Sequence, residues 1–234
     1  MPRIDFCGFV VSAQGIEKQP EKIESITNWP VPKCAKDIRA FLAICGFYQR
    51  FIKNYAHVAA PLTELLKSTN AWTWGETELK SFNDLKAAMR DKVVMHFPNP
   101  QLEFQLYLDA SDHAVGASLN QHDESGRDQL ICCLSKKLSP AEHNYLTHEH
   151  EFLALLTALR KWKHYLGGGS RVIAFTDNIA LRHWKTAPNL SSRMIRWLAD
   201  IESFNIEFHH IPGVSNTAAD ALSRPLKPML SFVP

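Results

Sequence analysis

No run of apolar residues in this 234-residue chain approaches the roughly 20 needed to cross a bilayer, which excludes membrane-spanning helices. The opening Met1-Pro-Arg-Ile-Asp lacks the apolar stretch of a secretory leader, so an intracellular protein, cytoplasmic or nuclear and with no membrane partner, is expected. Cysteine is sparse. Cys7, Cys34, Cys45, Cys132 and Cys133 are odd in number and show no Cys-x-x-Cys spacing, which argues against a disulfide framework or a zinc ribbon. Neither sign of charge is in excess: 26 Lys and Arg face 24 Asp and Glu, a formal net charge of +2, so affinity for polyanions must come from local clusters. What the chain does have is 45% hydrophobic residues, enough to bury the cores of two domains.

The first part reads as helical. A short helix is predicted over Glu21 to Asn28, and Pro30 and Pro32 separate it from a longer one over Asp37 to Ile52. In the longer helix Ile38, Phe41, Leu42, Cys45, Tyr48 and Ile52 recur at helical spacing. Two more helical runs, Ala59 to Leu66 and Glu76 to Met89, flank Trp72-Thr-Trp74-Gly75. Pro98-Asn-Pro100 marks a boundary. The expected division is therefore 1–98, 99–225 and a tail over 226–234.

Beyond that boundary, strands end in acids. Phe104, Leu106 and Leu108 alternate as a half-buried strand requires, and the period of two puts Asp109 on the face opposite Leu108. Val172 to Asp177, after a glycine cluster, reads as a buried strand with its acid at the carboxyl end. A helix from about Ala141 to Leu166, with Ser139 as cap and Pro140 at its first position, carries Glu151 at the border of an apolar face. After the strand Ile206 to Ile211, Asp220 opens a small-residue helix, where the dipole alone would favour an acid. Taken singly, each acid can be a turn former, a cap or a solvated charge. Taken together, Asp109, Glu151, Asp177 and Asp220 point to a metal-dependent nuclease. Gathered carboxylates repel one another without a divalent cation, and oxygen-only donors favour magnesium or manganese over zinc.

Several ordered segments carry a family resemblance. They are Tyr107-Leu-Asp109-Ala-Ser-Asp-His-Ala-Val-Gly116, Leu134-Ser-Lys-Lys-Leu-Ser-Pro-Ala-Glu-His-Asn-Tyr145, Glu149-His-Glu151-Phe-Leu-Ala-Leu, Phe175-Thr-Asp177-Asn and His210-Ile-Pro-Gly-Val-Ser-Asn216-Thr-Ala-Ala-Asp220-Ala-Leu-Ser-Arg224. They resemble the ribonuclease H domain of gypsy-type long-terminal-repeat retrotransposon reverse transcriptases. Upstream, Phe6 to Ile16, Pro20 to Pro30 and Phe41 to Ile52 resemble the last hairpin of the palm and the helical thumb or connection-like region of the same family. The resemblance departs from the usual pattern at Leu108, where threonine is common, and at His148 and His150 around Glu149.

The resemblance implies an α/β fold, α+β overall: a ribonuclease H-like mixed five-stranded sheet with flanking helices, preceded by the helical region. It implies hydrolysis of the RNA strand of an RNA–DNA hybrid at two magnesium ions about 3.5–4 Å apart, for which manganese can substitute. Asp109 would bridge the ions, Glu151 and Asp177 complete the shell of one, and Asp220 serve the other. No Tyr-x-Asp-Asp occurs, so polymerisation is not expected from this chain, and the remaining reverse transcriptase domains are expected partners. No small-molecule cofactor is called for. A non-catalytic module, such as a host-adopted one, that binds nucleic acid or protein is the alternative, and a DNA-directed nuclease of related architecture is a third reading.

Basic residues suggest where phosphates would lie. Lys136, Lys137, Arg160, Lys161, Lys163, Arg193 and Arg196 are the candidates, and Asn216 joins them through its motif. Cations near a helix end also complement the dipole, which accounts equally well for Arg160 and Lys161. Trp162, Trp184 and Trp197 fall at apolar helical spacing and are expected in the core. His210, a strand-end residue ten positions before Asp220, could move a proton at the leaving group. His143 and His150 could share a helix face, but no further soft ligand for zinc is evident in the sequence.

Overall fold

The structure, a computed structural model, describes residues 3–67, 72–176 and 192–211. Asp177, Trp184, Asn216 and Asp220, with the predicted helix around Asp220, lie outside the described residues. The chain opens with a three-stranded antiparallel sheet of β1 (Ile4–Phe6), β2 (Phe9–Ser12) and β3 (Gly15–Lys18). Here Gly15 is required by space and by conformation. Its φ is +137°, and a Cβ would lie 2.2 Å from the Met95 carbonyl oxygen. That close approach lets Ile16 and Met95 exchange two backbone hydrogen bonds of 2.8 and 2.9 Å.

Four helices follow: α1 (Pro20–Thr27), α2 (Ala35–Phe47), α3 (Tyr55–Glu64) and α4 (Glu76–Arg90). The helix expected to run to Ile52 stops at Phe47 and gives way to a 3-10 turn at Gln49–Phe51. Beyond the break Phe51 and Ile52 both sit in the core, at 2% and 1% exposure. Asn54 then takes the left-handed conformation, φ 54°, that turns the chain into α3. Ile26, Ile38, Phe41, Phe82, Leu85 and Met89 form the centre of this core.

The second core lies on a five-stranded sheet, order β6-β5-β4-β7-β8, built from β4 (Phe104–Ala110), β5 (Ala114–His122), β6 (Asp128–Lys137), β7 (Arg171–Thr176) and β8 (Asn205–His210). β4, β5 and β6 form an antiparallel meander, whereas β7 and β8 join parallel to β4. This is the expected mixed five-stranded architecture with helices. Leu106, Leu108, Leu119 and Val172 meet Leu155, Leu159 and Trp162 in the core. Trp162 is buried as expected, and Trp197 packs partly buried against the same core. Cys132 touches both cores.

The single long helix predicted for Ala141 to Leu166 is three pieces: a 3-10 turn at Glu142–Asn144, α5 (Thr147–Lys161) and α6 (Lys163–Leu166). Ser139 does not cap α5; it and Glu142 close the short turn on each other. The Ser139 backbone N–H donates to the Glu142 carboxylate at 2.8 Å, and the Glu142 N–H donates to the Ser139 hydroxyl at 3.3 Å. Tyr145 is then extended, ψ 156°, and the helix restarts beyond Leu146. The last described helix, α7 (Ser192–Ile201), leans on α5 and leads into β8. No described helix is long and apolar enough to cross a membrane.

Candidate functional site

Glu151 enters from the first half of α5 and is 7% exposed, a burial that an ionisable group tolerates only with partners. The Thr176 hydroxyl, itself 1% exposed, donates to Glu151 Oε2 at 3.5 Å. Thr176 closes β7, so the helix glutamate is held at the carboxyl end of that strand, one residue before Asp177 in the sequence. β7 runs parallel to β4 with Phe175 level with Tyr107, and Asp109 lies two residues beyond Tyr107 at the same end of the sheet. On the other side of β7, His210 pairs in register with Thr176. Three of the expected residues thus come to one edge of the sheet.

Leu108 belongs to the core beneath α5, and the pleat sends Asp109 to the opposite side, as the alternation predicts. There Asp109 is half-buried, faces Gly116 across the strand pair, and lines a small cavity with Asn54, His57, Ser111 and Ser135. Asn54 and His57 come from the helical part, whose docking is fixed by the Ala56 N–H donating to the Ser135 hydroxyl at 2.9 Å. Nothing in the sequence pattern announces those two neighbours. Among the described residues no three Asp, Glu, His or Cys side chains assemble as a metal cluster.

The start of α5 is anchored by a network around Glu149. This second buried carboxylate, 6% exposed, receives Arg193 of α7 at 3.1 Å and the Leu146 N–H at 3.3 Å. The Arg193 guanidinium also lies 3.7 Å from the Tyr145 ring centroid. His150 engages the Glu142 carbonyl oxygen at 2.8 Å. Lys136 bonds Glu142 at 2.6 Å, and although burial pushes that carboxyl up, Lys136 and Ser139 hold it below the usual carboxylate range.

Several expected phosphate contacts are thus already engaged within the fold. Arg193 is held by Glu149 and Lys136 by Glu142; Lys137 pairs with Glu64, and Arg160 with Asp200. The Glu64 carboxyl is lowered first by its hydrogen bond from Lys137 and then by Lys67. The Arg196 Nε donates to the Ser192 carbonyl at 3.3 Å. Lys161 and Lys163 are exposed around the end of α5.

Residues 74–174 match the family described as an RNase H-like domain found in reverse transcriptase, a match that begins within the helical part, ahead of position 99. Over 233 residues the chain is 38% identical to the retrovirus-related Pol polyprotein from transposon opus of Drosophila melanogaster, covering 95% of this chain and 23% of that polyprotein. The chain is thus similar to the RNase H-like region of LTR-retrotransposon reverse transcriptases. The region is also 33% identical over 233 residues to the Pol polyprotein from transposon gypsy of the same fly, covering 94% of this chain and 22% of that one. With the Tf2-3 transposon polyprotein of Schizosaccharomyces pombe it shares 30% identity over 225 residues, covering 95% and 17%. The chain therefore spans a quarter or less of the length of these relatives. A foamy viral protease-reverse transcriptase solved with double-stranded DNA superposes with a TM-score of 0.74 at 19% identity, covering 90% of this chain and 45% of that one. The same kind of enzyme solved with RNA/DNA hybrid gives 0.72 at 19%, covering 99% and 31%. At that identity the likeness is one of fold.

Proposed function

We propose that this region is a ribonuclease H that hydrolyses the RNA strand of RNA–DNA hybrids, with Asp109, Glu151, Asp177 and Asp220 as its metal ligands. The observation that carries the reading is the Thr176 contact to Glu151, because it brings the helix carboxylate to the strand end where Asp177 follows in the chain. The neighbouring strand β4 carries Asp109 as its second-to-last residue, before Ala110. The donor set is oxygen only and fits hard divalent cations such as magnesium or manganese. When bound, such ions lower the pKa of an attacking water and stabilise the departing oxygen.

The chain's own residues do the rest. Thr176 orients Oε2 of Glu151, and burial of that carboxylate keeps competing water from it. His210, which pairs with Thr176 from β8, would give a proton to the leaving 3′ oxygen, so that the products carry a 3′-hydroxyl and a 5′-phosphate. Lys161, Lys163 and Arg196 hold phosphates on the flank, and the RNA strand is selected through its 2′-hydroxyls. The family match and the hybrid-bound foamy viral enzyme support this substrate. The helical part over 1–98 then serves as the thumb or connection-like support of a larger reverse transcriptase.

The test is cleavage of labelled hybrid, duplex DNA and duplex RNA, each with magnesium or chelator. Magnesium-dependent cutting of the RNA in hybrid alone is expected, and Asp109→Asn or Asp177→Asn should remove it while the circular dichroism spectrum is unchanged. Hybrid binding without cutting would favour the non-catalytic module, and cutting of duplex DNA the DNA-directed nuclease.

A further inference from the structure

The histidines around α5 are more numerous than the proposed chemistry needs, and the structure sorts them. His150 is turned inward to the Glu142 carbonyl. His143 instead meets His113, which follows β4: His113 Nδ1 and His143 Nε2 are 3.2 Å apart, with ring centroids at 5.4 Å and planes inclined by 53°. Both residues are exposed. Two nitrogens bound to one tetrahedral zinc at about 2.0–2.1 Å stand about 3.3 Å from each other, so the pair already has the bite of a chelate.

We propose that His113 and His143 form a transition-metal site of the zinc or copper type, distinct in its chemistry from the proposed carboxylate ligands. Backbone contacts fix the main chain at both residues. The His113 carbonyl accepts the Leu138 N–H at 2.9 Å, and the His143 N–H donates to the Ser139 carbonyl at 2.9 Å. The pair lies along an open groove with Asn144, so water completes the coordination. Imidazole selects copper, zinc or nickel over magnesium, the reverse of an oxygen-only site. Without metal the 3.2 Å contact is an N–H···N hydrogen bond. On binding, both facing lone pairs go to the metal, and the shared proton moves through water to the other nitrogen of its own ring, with none released.

The site is tested on the untagged chain by zinc calorimetry in excess magnesium and by copper(II) paramagnetic resonance. One equivalent of metal is expected, with two-nitrogen hyperfine structure. His113→Ala and His143→Ala should each weaken binding at least about tenfold, while His164→Ala leaves it unchanged. Both targets are exposed, so their circular dichroism should match the parent. The proposal is overturned if both substitutions leave affinity and spectrum unmoved, or if millimolar zinc fails to saturate the parent chain. Neither outcome bears on hybrid cleavage, which is read separately.

Discussion

Thr176 donates its hydroxyl hydrogen to Glu151 Oε2 across 3.5 Å, joining the end of β7 to the first half of α5. Removing that donor while keeping the shape tests whether the contact positions the carboxylate. Thr176→Val should lower magnesium-dependent turnover or metal affinity by about 10–100-fold. A magnesium titration of hybrid cleavage reads the effect, and serine in place of valine should restore most of it.

Arg193 and Lys161 separate scaffold from nucleic-acid contact. Arg193→Ala strips Glu149 of its ion pair and should cost about 1–3 kcal/mol in urea unfolding. Lys161→Ala should leave the unfolding midpoint in place and reduce the salt slope of hybrid binding by about 1. A Lys161 variant with the parent slope would remove that lysine from the phosphate track.

Gly15→Ala places a methyl group 2.2 Å from the Met95 carbonyl at a φ of +137°. The paired hydrogen bonds between Ile16 and Met95 must then open. A loss of at least about 1–3 kcal/mol is expected in thermal or urea unfolding.

Lys18 is 7% exposed and donates to the Ala88 carbonyl at 3.1 Å. Burial lowers its pKa from 10.5 to about 8, against the opposing pull of Asp91. The unfolded chain therefore binds more protons here between those values, and this group makes the fold more stable as pH rises through the interval. Measured against Lys18→Met, the parent should gain stability from pH 8 to 10.5. A constant difference across that range would contradict the burial effect.

Much of the fold was readable because its elements are locally consistent. The alternation of Phe104, Leu106 and Leu108 gave β4 and the face of Asp109, and the helices over α1 and α4 fell within a residue or two of their expected ends. What could not be read was set by tertiary contacts. The break at Tyr145 depends on Ser139 and Glu142 closing a turn on each other, and on Tyr145 packing against Arg193 and Trp197, which are distant in sequence. Spacing also could not show that Lys136, Lys137 and Arg193 would be claimed by carboxylates. At the candidate site, Asp109 and Glu151 were named from strand and helix patterns. The approach of Asn54 and His57 to Asp109 exists only once the helical part is docked.

The parallel pairing of Phe104 with Val172, and of Val172 with Ile206, has a consequence for how the molecule matures. The meander of β4, β5 and β6 can zip from neighbouring segments as it is synthesised, but β7 and β8 must return across α5 and α7 to reach it. Glu151 gains its Thr176 partner only at that late stage. A nascent chain would therefore carry an ordered hairpin long before the proposed site could assemble, which would hold back the proposed cleavage until most of the region has left the ribosome.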